Sequence, residues 1–244
     1  MGTMTINRRR IIEKRVTGPL ANFSFKLMHR QVRAIEKSGI SMMHTARPFW
    51  YYRKVFFQAQ SAAAVLENLQ AKTIVDIGCG YTPFADDSMF QACHQAGIEF
   101  YGIDPLLAEN IDISFKDRIL ARAMGSRGQF SSAPAGREKA ICAYADALPF
   151  ADHSVDQILC SFLLFVWIED EAELAKILEE FLRVLKPGGV AKLYPLPEWR
   201  LMRFQSLRLK QLLNRFSIKQ RFVHGGADFR VTPAMLTEMK KPDD

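Results

Sequence analysis

Three acidic side chains and two glycines carry the chemistry of this 244-residue chain. Asp76 sits near the end of the apolar run Thr73-Ile74-Val75-Asp76-Ile77, and Gly78-Cys79-Gly80 follows it. Ile74, Val75 and Ile77 are β-branched and predict a short buried strand. Gly78 and Gly80 permit positive φ and let a ligand approach the backbone closely. Pro83 suits the first turn of a following helix, where its missing N–H costs nothing. Strand, tight turn and helix make a nucleotide-type α/β site. A pyrophosphate fits this version badly. The third glycine of G-x-G-x-x-G is absent, since Tyr81, Thr82 and Pro83 follow Gly80. Asp76, just before the turn, also repels a phosphate and favours a cationic ligand.

Asp104 stands 24 positions after Gly80, at the carboxyl end of a strand predicted over 99–103. That is close to the spacing at which an acid meets ribose hydroxyls in such folds. A carboxylate can accept from both the 2′ and the 3′ hydroxyl. Asp146, in Ala145-Asp146-Ala147-Leu148-Pro149, closes the next predicted strand, 140–144.

Together, Val75-Asp76-Ile77-Gly78-Cys79-Gly80, Gly102-Ile103-Asp104, Asp146 to Pro149, and Leu182-x-x-Leu185-Lys186-Pro187-Gly188-Gly189 resemble class I S-adenosylmethionine (SAM)-dependent methyltransferases of the type 11-like group. SAM carries a sulfonium and an ammonium and no phosphate, which agrees with the acid before the turn. The resemblance covers roughly residues 66–240. It implies an enzyme that moves the methyl of SAM to a nucleophilic acceptor. It implies cofactor contacts at Asp76, Gly78, Cys79, Gly80, Asp104, Pro105, Asp146, Ala147, Ser161 and Phe162. In that assignment Asp104 takes the ribose, Asp146 the adenine amino group, and the Ala147 N–H the ring. Thr82 stands where many members have a third glycine, so the methionine end of SAM sits differently here.

The implied fold is α/β: a Rossmann-like, seven-stranded, mostly parallel sheet with helices on both faces, plus an N-terminal helical extension. The domains divide as 1–60, a basic helical extension or lid, and 61–244, the SAM-binding domain. Helical spacing of Phe25, Met28, Val32 and Ile35 predicts a helix over 22–37, with Gly18-Pro19 breaking it from residues 1–16. Residues 41–52, rich in large side chains, read either as a helix packed on the sheet or as a lid over the acceptor. One helix is predicted over 52–69 and another from Pro83 to about 96. Residues 106–139 read as a mobile loop. A fourth strand is predicted through 158–160, an amphipathic helix over 169–185 and a fifth strand over 190–194. A helix over 207–216 and an antiparallel pair, 218–223 with 235–240, close the sheet.

Acceptor and base are less constrained. Cys160-Ser161-Phe162-Leu163 lacks the Pro-Pro-aromatic signature of several nucleic-acid amino methyltransferases, and the Pro-Cys nucleophile of cytosine C5 enzymes is absent. This favours a small-molecule acceptor. Candidates for a base are His44, Tyr51, Tyr194 and His224. Charge keeps RNA in play: residues 1–60 hold twelve bases against two acids, so +10 of the total +7 lies there and the rest is −3. Arg200, Arg203, Arg208, Lys210, Arg215, Lys219 and Arg221 form a second basic stretch without an acid between them. Such faces are either solvated or contact anionic partners. Cysteines at 79, 93, 142 and 160 lack C-x-x-C spacing, which argues against a zinc site or a disulfide framework and fits the reducing cytoplasm. No apolar run reaches the length of a membrane span, and the Arg-rich start lacks a secretory core.

Overall fold

The computed structural model describes residues 8–37, 45–107, 111, 113–225, 228 and 230–243. Seven strands form one sheet in the order β3-β2-β1-β4-β5-β7-β6. They are β1 Thr73–Ile77, β2 Glu99–Ile103, β3 Ala140–Ile141, β4 Val155–Ser161, β5 Leu185–Tyr194, β6 Ser217–Val223 and β7 Ala234–Lys240. β1 to β5 pair in parallel, and β7 runs antiparallel between β5 and β6. β1 is central, with Ile77 opposite Ile103 on one side and Cys160 on the other. The glycine turn therefore emerges beside Asp104 and Ser161.

Alternation along β1 divides the core. Val75 and Ile77 face the layer built by α6 (Glu171–Val184) and α8 (Leu207–Asn214), with Leu174, Ile177, Phe181 and Leu209 buried. Ile74 faces the opposite layer with Tyr51, Tyr52, Phe56, Phe90 and Phe100. Period two puts Asp76 on the same side as Ile74, among those aromatics. α6 starts where the Asp170 carboxylate accepts from the N–H groups of Ala172 and Glu173.

Several expectations change. Helix α1 runs unbroken from Arg8 to Lys37, with Pro19 inside it. Pro19 removes one N–H from the ladder, but the inner face, Ala21, Phe25, Met28 and Val32, stays buried and holds the helix. The single helix expected over 52–69 is three pieces: α2 Phe49–Tyr52, a π-helical turn Arg53–Phe57, and α3 Ala62–Leu69. Gln58, at φ 48°, breaks the run, and the Ser61 hydroxyl caps α3. Pro83 opens only a short 3₁₀ turn, and α4 (Met89–Gln95) begins later, capped by Ser88.

Residues 106–139 do not form one structureless loop. They contain α5, Phe115–Ala123, opened by a reciprocal Ser114–Asp117 capping box. Asp86 and Asp87 then anchor the following stretch: Asp87 accepts from Ser126 Oγ and Arg127 N, and Asp86 from Gln129 N. The polar residues that read as a loop are holding it down. β3 is two residues long, shorter than expected, because only β2 pairs with it. β5 begins at Leu185, ahead of the Gly188-Gly189 pair, because Leu185 already pairs with Val155 across a bulge.

Candidate functional site

The turn after β1 is fully committed internally. Gly78 and Gly80 take φ of 71° and 54°. A Cβ on Gly78 would stand 2.9 Å from Leu163. Gly78 N donates to Ile103 O at 2.9 Å and Gly80 N to Asp104 Oδ2 at 2.9 Å. Tyr81 N donates to Thr45 O at 3.0 Å, and Thr82 N to Cys79 O at 3.1 Å. Asp104 also accepts from Leu106 N at 3.0 Å and is 6% exposed. A carboxylate oxygen can accept more than one hydrogen bond, so holding the turn does not by itself bar Asp104 from a hydroxyl.

The segment before α2 is stitched onto this turn. Besides the Thr45–Tyr81 bond, Arg47 N donates to Thr82 Oγ1 at 3.1 Å, and Phe49 N to Asp87 O at 2.8 Å. Two tyrosines from α2 then reach the strand tips. The Tyr51 hydroxyl shares a hydrogen bond with Ser161 Oγ at 2.6 Å, and the Tyr52 hydroxyl donates to Asp76. Beside Tyr51 lies Arg47, 8% exposed. Its guanidinium sits 4.6 Å from the Tyr51 ring centroid and 4.6 Å from that of Phe162. It forms no ion pair among the described residues. Asp76 is near enough to feel its charge, and burial between two ring faces leaves that charge little screened by solvent.

Electrostatics follow from this packing. Burial pushes the Asp76 carboxyl up to about 7, opposed by the Tyr52 hydroxyl and the Arg47 charge. Burial likewise raises Tyr51, and raises Tyr52 and Tyr194 well above the usual phenol range. The Cys79 thiol is pushed well above its usual range and Cys160 to about 12, both by burial, so neither is a nucleophile at neutral pH. All four cysteines are free. No cluster of three or more metal-ligating side chains exists among the described residues, and no described helix is long and apolar enough to cross a membrane.

Of the residues predicted from sequence, Asp76, Gly78, Cys79, Gly80 and Asp104 meet at the turn. Ser161 and Phe162 join them through Tyr51 and Arg47. Pro105 lies exposed in the next turn, its carbonyl accepting from Cys142 Sγ at 3.3 Å. Asp146 and Ala147 are exposed beyond β3, and Ala147 N already donates to Tyr144 O at 3.2 Å. The base candidates fare worse. The Tyr194 hydroxyl donates to Thr232 O. His224 follows β6 at the sheet edge, its ring stacked on Phe222. His44 lies outside the described residues. Tyr51 reaches the site, but its raised pKa disqualifies it as a base near neutrality. Sequence reasoning missed Arg47 and Tyr52. The aromatic density of 49–52 was the available signal.

A central strand ending in an acid and a two-glycine turn, a second acid at the neighbouring strand tip, and a sheet closed by one antiparallel strand define the class I SAM-dependent methyltransferase architecture. A family model described as "Methyltransferase domain" matches residues 75–193. That span runs from β1 through β5 and includes every predicted cofactor contact. Residues 75–193 thus carry a methyltransferase domain, set on the class I SAM-dependent fold. No curated protein matches it. Among solved structures, a SAM-dependent methyltransferase from Methanosarcina mazei is 19% identical, covers 74% of this chain and 98% of its own, and has a TM-score of 0.43. The N-methyltransferase NodS from Bradyrhizobium japonicum is 13% identical, with 73% and 93% coverage and a TM-score of 0.41. Neither bears on the acceptor of this chain.

Proposed function

We propose that the acceptor is a small molecule, bound under the lid formed by Arg47, Tyr51 and Tyr52. The observation that carries this is the seam between residues 45–52 and the glycine turn, which walls the strand tips with aromatic rings. In this reading, residues 1–60 are the extension that supplies the lid, and 61–244 the catalytic domain. Bound SAM supplies a methyl group already activated on a sulfonium. Asp104 holds the ribose hydroxyls, and Asp146 the adenine edge. Gly78 and Gly80, at φ 71° and 54°, hold the tight turn against which the ligand lies. Each N–H from Gly78 to Thr82 is already bonded, so the methionine carboxylate falls to Arg47. Asp76, with Tyr52 behind it, biases the pocket toward the ammonium. Tyr51, Phe162 and Tyr194 exclude water and orient the acceptor for in-line attack. None of the described base candidates is placed to act near neutrality, so the acceptor uses its own lone pair.

The basic stretch 200–221 gives less support to RNA than its sequence implied. Arg200 pairs with Glu169, Arg208 with Glu179 at 2.6 Å, and Arg221 with Glu238 at 3.0 Å. Arg203 lies over the Trp199 ring. These cations are consumed within the protein. The test is a tritiated-methyl transfer assay on a cell extract separated into RNA, protein and small-molecule fractions. Label in the small-molecule fraction is expected; label confined to RNA overturns the assignment.

A further inference from the structure

Helix α1 has two apolar faces, and the domain uses only one. The inner face, Phe25, Met28 and Val32, packs with Val166, Trp167 and Trp199. Arg33 adds a contact over the Trp167 ring and an ion pair with Glu169 at 3.3 Å. The outer face carries Leu20, Phe23 and Leu27, which are 47%, 66% and 46% exposed. Their spacing of three and four puts them in one stripe. Lys26 and Arg30 flank the stripe, both exposed and neither in an ion pair among the described residues. No acidic residue occurs from Gly18 to Ala34.

We infer that this outer face is a docking surface for an anionic lipid bilayer, with α1 lying in the plane of the interface. Leucine and phenylalanine in a row beside lysine and arginine is the composition that inserts shallowly among headgroups while the cations meet anionic lipid. RNA fits the face less well: phosphates gain nothing from Leu20 and Leu27, and one phenylalanine makes no stacking platform. A second copy fits less well too. Two such helices face to face would bring Lys26 and Arg30 rows together with no acid on the face to pair them.

The experiment is co-sedimentation of the full chain with vesicles of phosphatidylcholine alone or mixed with phosphatidylglycerol. Binding at least tenfold stronger to the anionic vesicles is expected, weakened by added salt. The triple variant Leu20→Ser, Phe23→Ser, Leu27→Ser should lose at least tenfold, and Arg30→Glu several-fold. S-adenosylhomocysteine affinity and far-UV circular dichroism establish that the variants fold. Absence of binding to either vesicle overturns the inference, as does equal binding by the triple variant. So does finding that the stripe variant abolishes a dimer, or a poly(U) complex, rather than vesicle binding. None of these results depends on which acceptor the enzyme methylates.

Discussion

Replacing Arg47 with methionine removes a charge while leaving an unbranched side chain to fill the slot between Tyr51 and Phe162. The guanidinium is nearly enclosed, so solvent screens it little, and it forms no ion pair among the described residues, although Asp76 feels its charge. A charge-assisted hydrogen bond in such a place contributes about 1.5–3 kcal/mol. At about 1.4 kcal/mol per tenfold, affinity for S-adenosylhomocysteine should fall roughly 10- to 150-fold. Titration calorimetry measures this directly. 5′-Methylthioadenosine supplies the internal control, because it keeps the nucleoside and lacks the amino acid. Its affinity should change by less than about twofold, within the noise expected of a site it never touches. Arg47→Lys should fall between, keeping charge and losing the planar fork. If Arg47→Met weakens both ligands equally, the residue holds the pocket's shape and binds nothing. If it weakens neither, the carboxylate is held elsewhere and the assignment is wrong.

The Asp76 carboxyl is raised to about 7, so in the free protein it takes up a proton that the unfolded chain binds only near pH 4. Its contribution to stability is therefore fully present below about pH 4 and is lost as pH rises through about 7. An ammonium-bearing ligand prefers the ionised form, so S-adenosylhomocysteine affinity should rise up to about tenfold per pH unit below 7 and level off above. Calorimetry from pH 5.5 to 8.5 tests this, and a flat profile would remove Asp76 from the cofactor site. Tyr52→Phe deletes the hydroxyl that opposes the rise, and should move the midpoint upward. Asp104→Ala strips the acceptor from the Gly80 and Leu106 N–H groups, costing about 1–3 kcal/mol of stability as well as cofactor affinity; urea unfolding read beside calorimetry separates the two. Gly78→Ala must hold φ at 71° and push Leu163 aside, so a loss of about 1–3 kcal/mol is expected in thermal unfolding, and an unchanged midpoint would refute the tight-turn argument.

What could be read from sequence was what lies close together along the chain. Asp76 to Gly80 is one continuous segment whose residue types state its backbone geometry, and Asp104 follows from a fixed strand-helix-strand length. The amphipathic period of α6 and the closing hairpin were likewise local. Arg47 and Tyr52 were a different matter. They reach the site across 35 and 24 positions, to Thr82 and Asp76, and no local pattern announces such a meeting. Pro19 was misread because propensity ends a helix that tertiary packing continues. The 106–139 stretch was misread because its polar residues looked unfolded when they are in fact bonded to Asp86 and Asp87. The pairing of 200–221 with glutamates from 169–179 and 238 was hidden for the same reason.

The Thr45–Tyr81 and Arg47–Thr82 bonds join a piece of chain made early to a turn made later, so neither half alone is a receptor. If residues 45–52 wall the cofactor pocket as proposed, seating of that segment and capture of the donor become one linked equilibrium: whatever favours either favours both. Amide exchange at Arg47 and Tyr81 should slow in concert when S-adenosylhomocysteine is added. A partner that pulls on the flap would throttle turnover without touching the reacting atoms.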